Sequence, residues 1–308
     1  MKKSIVLIFI SFVSLTWKSE IGEIEKPHVS FSFDDGNPNA ILTYNGNKWN
    51  QMILDHLNQH GVKAVWFVAA KAVDNTKGKQ LLSRWNDAGH AIANHTYYHL
   101  NYNDPKITCI DYIKDILKCD SLIMGYSNYK KIFRFPFLKS GNTISKRDSM
   151  RTYLKESGFK EGWVTIDASD WYINSRLIQR LKDNPKTDIK GYREYYINHI
   201  VDRAVYYNML SKEINQREIK HTVLLHFNLT SALFLGDLIE RFKKEGWEID
   251  NYQDAIKDPI YQVLPSAMPA EQSLIWLLAK QWGKYDHLLR YPGEDGKYEK
   301  EKMDKLGL

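Results

Sequence analysis

Two adjacent carboxylates, Asp34 and Asp35, follow the apolar stretch HVSFSF and precede a glycine. The two phenylalanines of that stretch predict a buried β-strand. Like charges side by side at the end of such a strand destabilise each other, unless a cation lies close to them. A surface Asp-Asp-Gly turn is the alternative that these residues alone leave open. The pair therefore raises the question of which other residues could share a cation with it.

Two histidines supply candidate ligands, because His95 and His99 follow the short predicted strand AIAN. Histidines four residues apart can lie on one helical face and share a metal ion. The spacing alone is a weak signal, since His56 and His60 repeat it in an amphipathic helix that ends at Gly61. A solvated helix end, whose dipole favours cations, explains that second pair. The position of His95 and His99 after a strand favours a metal site there.

Three further predicted strands also end in polar residues. RFPF places Arg134 at a strand end, where its guanidinium could hold a carboxylate through two hydrogen bonds. DASDW places Asp167 and Trp171 after another strand, and His226 closes the strand TVLLH. Each residue alone has an ordinary alternative, such as a sheet-edge arginine or a satisfied core histidine. Five polar groups at five strand ends would point to one rim, and this convergence favours a functional site.

Strands and helices alternate along most of the chain. The predicted strands read HVSFSF, KAVWFVAA, AIAN, KIFRFPF, GWVTID and HTVLLHF, with helical patterns between them. This order predicts an α/β fold with a parallel sheet covered by helices, and six or seven such units predict a barrel-like closure. In such folds the chemistry lies at the carboxyl ends of the strands.

The predicted organisation has three parts. Residues 1–19 carry two lysines and a short apolar run, which predicts a signal peptide, with an uncleaved anchor or a buried strand as alternatives. Residues 27–258 form the predicted main domain, and residues 174–220 interrupt its rhythm as one or two inserted long helices. Residues 259–308 are predicted to be a helical extension, in which RYPGEDG matches no motif. No later segment is predicted to cross a membrane.

Composition and charge are those of an ordinary globular protein and do not indicate a nucleic-acid-binding protein. The 308 residues are 43% hydrophobic and 26% charged, which is ordinary for a globular chain. The net charge of +6 is mild and could favour an acidic polymer, while no cluster of lysines and arginines predicts nucleic-acid binding. Cys109 and Cys119 lie on one predicted helix, about 15 Å apart. We therefore predict no disulfide between them.

Five motifs, FSFDDG, HTYYH, RFPF, DASDW and LLH, occur in the order and approximate spacing of the polysaccharide deacetylases, carbohydrate esterase family 4. The chain resembles this family between residues 29 and 226. The resemblance implies a distorted (β/α) barrel, here with the helical insertion and the helical C-terminal extension. It also implies a metal-dependent hydrolase that removes acetyl groups from the N-acetylated sugars of a polysaccharide, such as a chitin-like polymer, peptidoglycan or an exopolysaccharide.

The resemblance assigns the metal site and the general base. Asp35, His95 and His99 would bind a divalent metal, zinc first, with cobalt or nickel as alternatives. One carboxylate and two imidazoles leave open positions on zinc, which lowers the pKa of a bound water to about 7. Asp34 would be the base that takes a proton from this water, and Arg134 would orient Asp34.

The resemblance also assigns the acid and the acetyl pocket. His226 would protonate the leaving amine, and Asp167 would pair with His226 and tune its pKa. The backbone N–H of Phe137 would stabilise the oxyanion together with the metal. Trp171 and Leu224 would line the pocket for the acetyl group. Phe137 departs from the family, whose third motif often ends in tyrosine, but a backbone contribution would survive this change.

Other functions remain as alternatives. An O-acetyl esterase acting on xylan would use the same site, and a silent glycan-binding protein could keep the same scaffold. Against the silent protein, a competent residue type occupies every catalytic position. The predicted partner is an acetylated polysaccharide and not a nucleic acid. The predicted location is outside the cytoplasm, either periplasmic, cell-surface or secreted, with a cytosolic protein as the alternative if the N-terminus is only a strand.

Overall fold

A computed structural model describes residues 25–293 and 295–308. The predicted signal peptide or anchor at residues 1–19 lies outside the described residues. Within them the chain forms one parallel sheet with helices packed around it. No helix in this part of the chain combines the length and the apolar character that crossing a membrane requires.

The strands largely match the predicted ones. They are β1 (His28–Asp35), β2 (Val65–Val68), β3 (Ala91–Asn94), β4 (Tyr129–Phe133), β5 (Lys160–Glu161), β6 (Lys220–His226) and β7 (Glu248–Ile249). Their order in the sheet is β5-β4-β3-β2-β1-β6, and β7 pairs with the first residues of β1. All pairs are parallel, so the carboxyl ends of β1 to β6 lie on one rim.

The helices fill the intervals between the strands, as expected for parallel connections. They are α1 (Gly46–Gln59), α2 (Ala70–Val73), α3 (Thr76–Asp87), α4 (Cys109–Ile123), α5 (Ile144–Glu156), α6 (Asp170–Asp183), α7 (Lys190–Asn215), α8 (Leu229–Lys244), α9 (Tyr252–Ala255), α10 (Leu274–Trp282) and α11 (Lys297–Lys305). Short 3₁₀ turns occur at Pro136–Leu138, Pro259–Gln262 and Asp286–Leu288.

The two faces of β1 explain how the sheet carries both a core and a site. Phe31 and Phe33 are fully buried and pack edge-on against aromatic rings of the covering helices, Phe33 with its ring centre 5.7 Å from that of Trp85. Ser30 and Ser32 point to the opposite face, because side chains alternate along a strand. Both hydroxyls donate hydrogen bonds to carbonyls of β6 inside the curled sheet. Asp34 continues this inner row.

The stretch GWVTID differs from its prediction as a strand. Only Ile166 forms a bridge, to Val223 of β6, and the regular strand lies just before it at β5. The Thr165 hydroxyl accepts the backbone N–H of Thr222 at 2.7 Å, in place of the carbonyl that a regular ladder would provide. Residues 160–166 thus pass from the β4 edge to the β6 edge. The sheet is a curled half-barrel, and this single bridge connects the chain leaving β5 to the β6 edge. This arrangement confirms the predicted distorted barrel.

The region predicted as a helical insertion and the C-terminal residues both pack on the main core. Residues 174–220 contain most of α6 and all of α7, and residues of α7, α10 and α11 share one buried apolar cluster with β1. That residues 174–220 are an insertion stays a prediction. Cys109 and Cys119 are free, as predicted. The boundaries at residues 258 and 259 stay a prediction, because the core does not separate there.

Candidate active site

The strand ends meet in a cavity of about 440 Å³ on the carboxyl rim of the sheet. Its lining residues are Asp34, Asp35, His95, His99, Phe137, Leu138, Lys139, Trp171, Leu224 and His226. Eight of the ten residues predicted for the site are therefore brought together. The other two, Arg134 and Asp167, lie behind the lining. Leu138 and Lys139 were not predicted, since they follow RFPF without a pattern of their own.

The end of β1 turns the two aspartates in different directions. Asp34 is buried and stays in the inner row of the strand, while Asp35 is partly exposed and adopts a left-handed backbone conformation with φ of 77°. The Trp66 indole N–H donates to the Asp35 carbonyl at 2.6 Å and fixes this turn. Gly36 follows with φ of 141°, and a Cβ on it would lie 2.5 Å from the Trp66 ring. The turn therefore requires glycine next to Asp35.

Asp35, His95 and His99 form a cluster whose ligand atoms all lie within 4.8 Å of one another. The Asp35 Oδ1 atom is 3.2 Å from His99 Nε2 and 4.0 Å from His95 Nε2. The histidines meet through a tight loop and not through a helical face. Thr96 and His99 have left-handed φ angles, and the Thr96 hydroxyl accepts the His99 N–H at 3.0 Å. The prediction that His95 and His99 lie together is confirmed, but a loop brings them together and not a shared helical face.

The histidine His95 is prepared to act as a neutral ligand. Its Nδ1 lies 2.9 Å from the Arg134 carbonyl oxygen, which can only accept, so Nδ1 carries the proton and Nε2 offers its lone pair. Burial lowers the pKa of His95 to about 4, although Asp34 and Asp35 oppose this effect. A buried neutral imidazole held by a backbone carbonyl is the arrangement found around metal-bound histidines. The donor set therefore fits a divalent metal such as zinc.

The carboxylate of Asp35 fits the same role. Burial alone would raise its pKa, but the hydrogen bond from His99 and the charge of His226 outweigh that effect. The pKa of Asp35 consequently lies well below its ordinary value. Asp35 is therefore ionised across the neutral range, as a metal ligand must be.

Arg134 pairs with Asp34, as the resemblance predicted. Its Nη1 donates to Asp34 Oδ1 at 2.6 Å and to the Ser32 hydroxyl at 2.9 Å, and its Nε donates to the Gly162 carbonyl at 2.8 Å. The guanidinium is buried and lies 3.8 Å from the centre of the Phe67 ring. These contacts fix one oxygen of Asp34 and leave Oδ2 facing His95, 3.5 Å from its Nε2.

The prediction that Asp167 pairs with His226 is wrong, because Asp170 occupies that position. Asp170 Oδ1 accepts His226 Nδ1–H at 2.7 Å, while Oδ2 accepts the His226 backbone N–H at 2.8 Å and the Asn228 amide at 3.2 Å. Asp170 is the first residue of α6, and Ser169 precedes it as the cap. The motif DASDW contains both aspartates, so the sequence identified the loop but did not indicate which aspartate pairs with His226.

The pairing with Asp170 changes the protonation of His226. Burial lowers its pKa, but the charge of Asp170 and their hydrogen bond outweigh burial, with smaller contributions from Asp35 and Asp34. Together these effects raise the pKa of His226 to about 10. The imidazole is therefore protonated at neutral pH, with Nδ1–H on Asp170 and Nε2–H available to the cavity.

Asp167 contacts the C-terminal segment instead. It is fully buried, and its Oδ2 accepts the Gly293 N–H at 3.1 Å. Burial raises the pKa of Asp167, although Arg203 and the Gly293 N–H oppose the increase. Gly293 belongs to RYPGEDG, the stretch that matched no motif. No local pattern could have revealed a contact between residues so far apart in the chain.

The remaining walls of the cavity are mostly apolar. Phe137 and Leu138 both adopt left-handed backbone conformations, with φ of 58° and 55°, and the Phe137 ring packs edge-on against His99. Leu138 and Leu224 belong to one small buried cluster with Val164. Trp171 also lines the cavity and donates its indole N–H to the Gly293 carbonyl at 3.2 Å. These surfaces form an apolar recess beside the titratable groups.

The second histidine pair provides an internal comparison. His56 Nε2 contacts the Ala232 carbonyl, and His60 Nδ1 lies 3.1 Å from a carboxylate oxygen of Glu240. Among the described residues, Asp35 lies with His95 and His99 in a potential metal-binding cluster, and His56 and His60 belong to no such cluster. The prediction that strand-end context, and not spacing, distinguishes the two pairs agrees with this geometry.

The comparisons with known proteins confirm the predicted resemblance. Residues 22–161 match the family model described as polysaccharide deacetylase. This region contains the first three motifs and therefore Asp34, Asp35, both clustered histidines and Arg134.

Two curated relatives carry the name peptidoglycan-N-acetylglucosamine deacetylase, and both are from Bacillus cereus. One is 30% identical over 151 residues, which is 49% of this chain and 48% of the relative. The chain thus spans about half the length of that relative. The other is 22% identical over 226 residues, which is 72% of this chain and 71% of the relative.

Solved structures share the fold. A polysaccharide deacetylase from Bacillus cereus has a TM-score of 0.54 at 21% identity, over 74% of this chain and 92% of that chain. A pseudoenzyme of carbohydrate esterase family 4 from Bacillus anthracis has a TM-score of 0.50 at 18% identity, over 75% of this chain and 66% of that chain. At such identities the likeness shows the fold alone, and the second structure warns that the fold does not decide activity.

Proposed function

We propose that this chain, whose residues 22–161 match the polysaccharide deacetylase family model, is a metal-dependent hydrolase that removes acetyl groups from N-acetylated sugars of a cell-wall polysaccharide. One observation carries the proposal. A carboxylate held by an arginine and a histidine held by a carboxylate line one cavity together with the cluster of Asp35, His95 and His99.

The register of the sheet supports this pairing of base and acid. Asp34 of β1 and His226 of β6 are direct partners in adjacent parallel strands, so their Cα atoms lie about 5 Å apart. Both side chains line the cavity. A substrate held between them would meet a proton acceptor and a proton donor at the same bond.

A divalent cation, zinc first, would be held by Asp35, His95 and His99, where it would polarise the acetyl carbonyl and acidify water. Cobalt and nickel suit the same ligands and remain alternatives. His95 and Asp35 have the protonation states that such binding needs. The fit rests on the donor atoms and on the hydrogen bond from His95 to the Arg134 carbonyl.

The residues of the chain would divide the proton transfers. Asp34 Oδ2 would accept a proton from the attacking water, while Arg134 holds Oδ1 in place. His226 Nε2–H would donate its proton to the leaving nitrogen, and Asp170 would stabilise the imidazolium. Water adds to the acetyl carbon, the C–N bond breaks, and the products are acetate and an amine. We propose the Phe137 backbone N–H as the donor to the oxyanion.

The walls suit an acetyl group and a sugar ring. Leu224 and Leu138 offer an apolar surface for the methyl group, and Trp171 is proposed to flank the sugar. The names of the two Bacillus cereus relatives favour peptidoglycan as the polymer. They also favour action outside the cytoplasm, in agreement with the signal peptide or anchor proposed for residues 1–19.

An O-acetyl esterase is the second candidate, since it would use the same groups. The state of His226 favours the amide. An amine is a poor leaving group unless it is protonated, and a histidine with a pKa of about 10 is protonated at neutral pH. A silent glycan-binding protein is less favoured, because each proposed role has a competent side chain with its partner in place.

Acetate release from N-acetylglucosamine oligomers, from acetylated xylan and from N-acetylated peptidoglycan would test the proposal. We expect the N-acetylated substrates to be turned over at least tenfold faster than the xylan. Faster release from xylan would support the esterase instead. Binding of oligomers without release of acetate from any of the three would support the silent glycan-binding protein.

A further inference from the structure

The C-terminal segment, residues 290–293 and 295–308, contacts the loop that carries Asp170. Its Gly293 contacts three residues of the motif DASDW. The Gly293 N–H donates to Asp167 Oδ2 at 3.1 Å, and its carbonyl accepts the Ser169 hydroxyl at 2.8 Å and the Trp171 indole N–H at 3.2 Å. The backbone of this one residue therefore contacts both ends of the loop.

The contact at Gly293 leaves no room for a side chain. A Cβ at this position would lie 2.5 Å from Asp167 Oδ1 and 2.7 Å from Oδ2. Within the described residues, Asp167 Oδ1 has no hydrogen-bond partner, although it is buried. Asp167 therefore contacts the Gly293 backbone and is not among the residues that line the cavity. The requirement for glycine here is one of close approach.

A second anchor fastens the same segment. Glu299 of α11 is fully buried and accepts hydrogen bonds from the hydroxyls of Tyr195 and Tyr291. Its Oε2 also lies 3.3 Å from His199 Nδ1. Burial alone would raise the pKa of Glu299, but hydrogen bonds from His199, Tyr195 and Tyr291 hold it below its ordinary value. The carboxylate is therefore ionised at neutral pH.

The second anchor also reaches the loop. His199 Nε2 accepts the backbone N–H of Ser169 at 3.0 Å, so the proton of His199 sits on Nδ1 and faces Glu299. Arg203 lies one turn further along α7. It links the loop to the C-terminal segment by donating hydrogen bonds to the carbonyls of Asp167 and Tyr291. Ser169 is thus held by His199 and Gly293 immediately before Asp170.

We propose that the C-terminal segment is a positioning element for the reaction, in which Gly293 and Glu299 fix the loop 167–171 and thereby aim Asp170 at His226. This proposal rests on the proposed function for its effect on turnover. The chain of contacts itself does not need that function, since it runs from Glu299 through His199 and Ser169 to the residue that holds the imidazole.

The test compares Gly293→Ala with Gly125→Ala, a glycine whose added Cβ would meet no atom within 4 Å. Glu299→Gln is the second variant, and it is matched by Glu301→Gln on the exposed side of α11. Glu299→Gln keeps the size of the side chain but can present an N–H to His199. If Gly293→Ala does not fold, Glu299→Gln decides the question.

Two readouts separate positioning from general destabilisation. We expect kcat for acetate release from N-acetylglucosamine oligomers to fall about tenfold or more in both variants, the size typical of supporting hydrogen bonds, with zinc stoichiometry unchanged. KM should stay unchanged in Glu299→Gln, whereas Gly293→Ala can also raise KM because Gly293 holds the Trp171 indole. We also expect a nitrogen-15 NMR titration of the His226 imidazole to show a lower pKa in both variants. The two control variants should match the wild type in both measurements.

The NMR readout keeps the positioning claim separate from the proposed function. If wild type releases no acetate, the proposed function fails, while a shifted His226 titration in the two variants still supports the positioning role. An unchanged His226 titration in both folded variants overturns the positioning role, whatever happens to kcat. An unchanged kcat in an active enzyme overturns it as well.

Discussion

At the scale of single residues, the site depends on which carboxylate holds which partner. Asp34 is held by Arg134, Asp35 faces the two histidines, and Asp170 holds His226. The three aspartates are chemically alike, and their neighbours alone separate their roles. The difference between Asp170 and Asp167 follows from the start of α6, which places Asp170 beside β6 and leaves Asp167 facing Gly293.

We predict that Asp170→Asn changes the pH dependence of acetate release far more than Asp167→Asn does. His226 acts in its protonated form, so activity is lost as the pH rises through its pKa. Asp170 raises that pKa, and removing its charge should move the basic limb to lower pH by one unit or more. In the zinc-bound wild type, the cation beside Asp35 would offset part of this rise in the pKa of His226. The basic limb of its pH profile is therefore expected below pH 10.

The measurement is the profile of kcat against pH for wild type and both variants. In Asp167→Asn, the side-chain oxygen can still accept the Gly293 N–H, so the basic limb should stay within about half a unit of the wild type. A larger shift for Asp167→Asn than for Asp170→Asn would contradict the assignment of the acid's partner.

At the scale of elements, the sequence predicted most strands and helices but not the turns that aim the ligands. The buried apolar residues of β1 and α1 recur with the periods of a strand and a helix, so the positions of these elements were predictable from the sequence. The conformations of Asp35, Thr96, His99 and Phe137 were not, because all four have left-handed φ angles without being glycine. Such conformations are imposed by tertiary contacts, such as the Trp66 indole on the Asp35 carbonyl.

The turn after β1 gives a prediction at this scale. Gly36→Ala would place a Cβ 2.5 Å from the Trp66 ring, at a backbone conformation that alanine rarely adopts. The turn should shift and carry Asp35 away from His95 and His99, so we expect zinc affinity to fall about tenfold or more. Isothermal titration calorimetry with zinc, with Gly125→Ala as the control, provides the measurement. Wild-type affinity in Gly36→Ala would show that the turn does not position Asp35.

At the scale of the whole molecule, the C-terminal residues belong to the same structure as the sheet. Residues of α10 and α11 lie in the apolar cluster that contains Phe31 and Phe33. Helix α11 is mostly lysine and glutamate, yet its Glu299 and Met303 are fully buried. A buried carboxylate in a charge-rich helix has no signature in the sequence, since its partners come from Tyr195 and His199 on α7.

This docking predicts an acid-sensitive contribution to stability. The folded-state pKa of Glu299 lies below its ordinary value of 4.5, so its contribution is present above about pH 4.5 and is lost as the pH falls below it. Wild type should therefore have a higher Tm than Glu299→Gln at pH 7, and this difference should shrink between pH 5 and 3. Thermal unfolding by circular dichroism measures it, and Glu301→Gln should match wild type throughout. A difference in Tm that stays constant with pH would contradict the buried, ionised state of Glu299.

The most direct test of the whole account is a zinc titration of metal-depleted protein while acetate release from N-acetylglucosamine oligomers is followed. The account predicts that the rate rises in proportion to added zinc and saturates at one equivalent per chain. Asp34→Asn should bind the same single equivalent, because Asp34 is not in the proposed ligand set, yet release acetate at least a hundredfold more slowly. Acetate release that does not depend on zinc, or that persists in Asp34→Asn at the wild-type rate, would contradict the account.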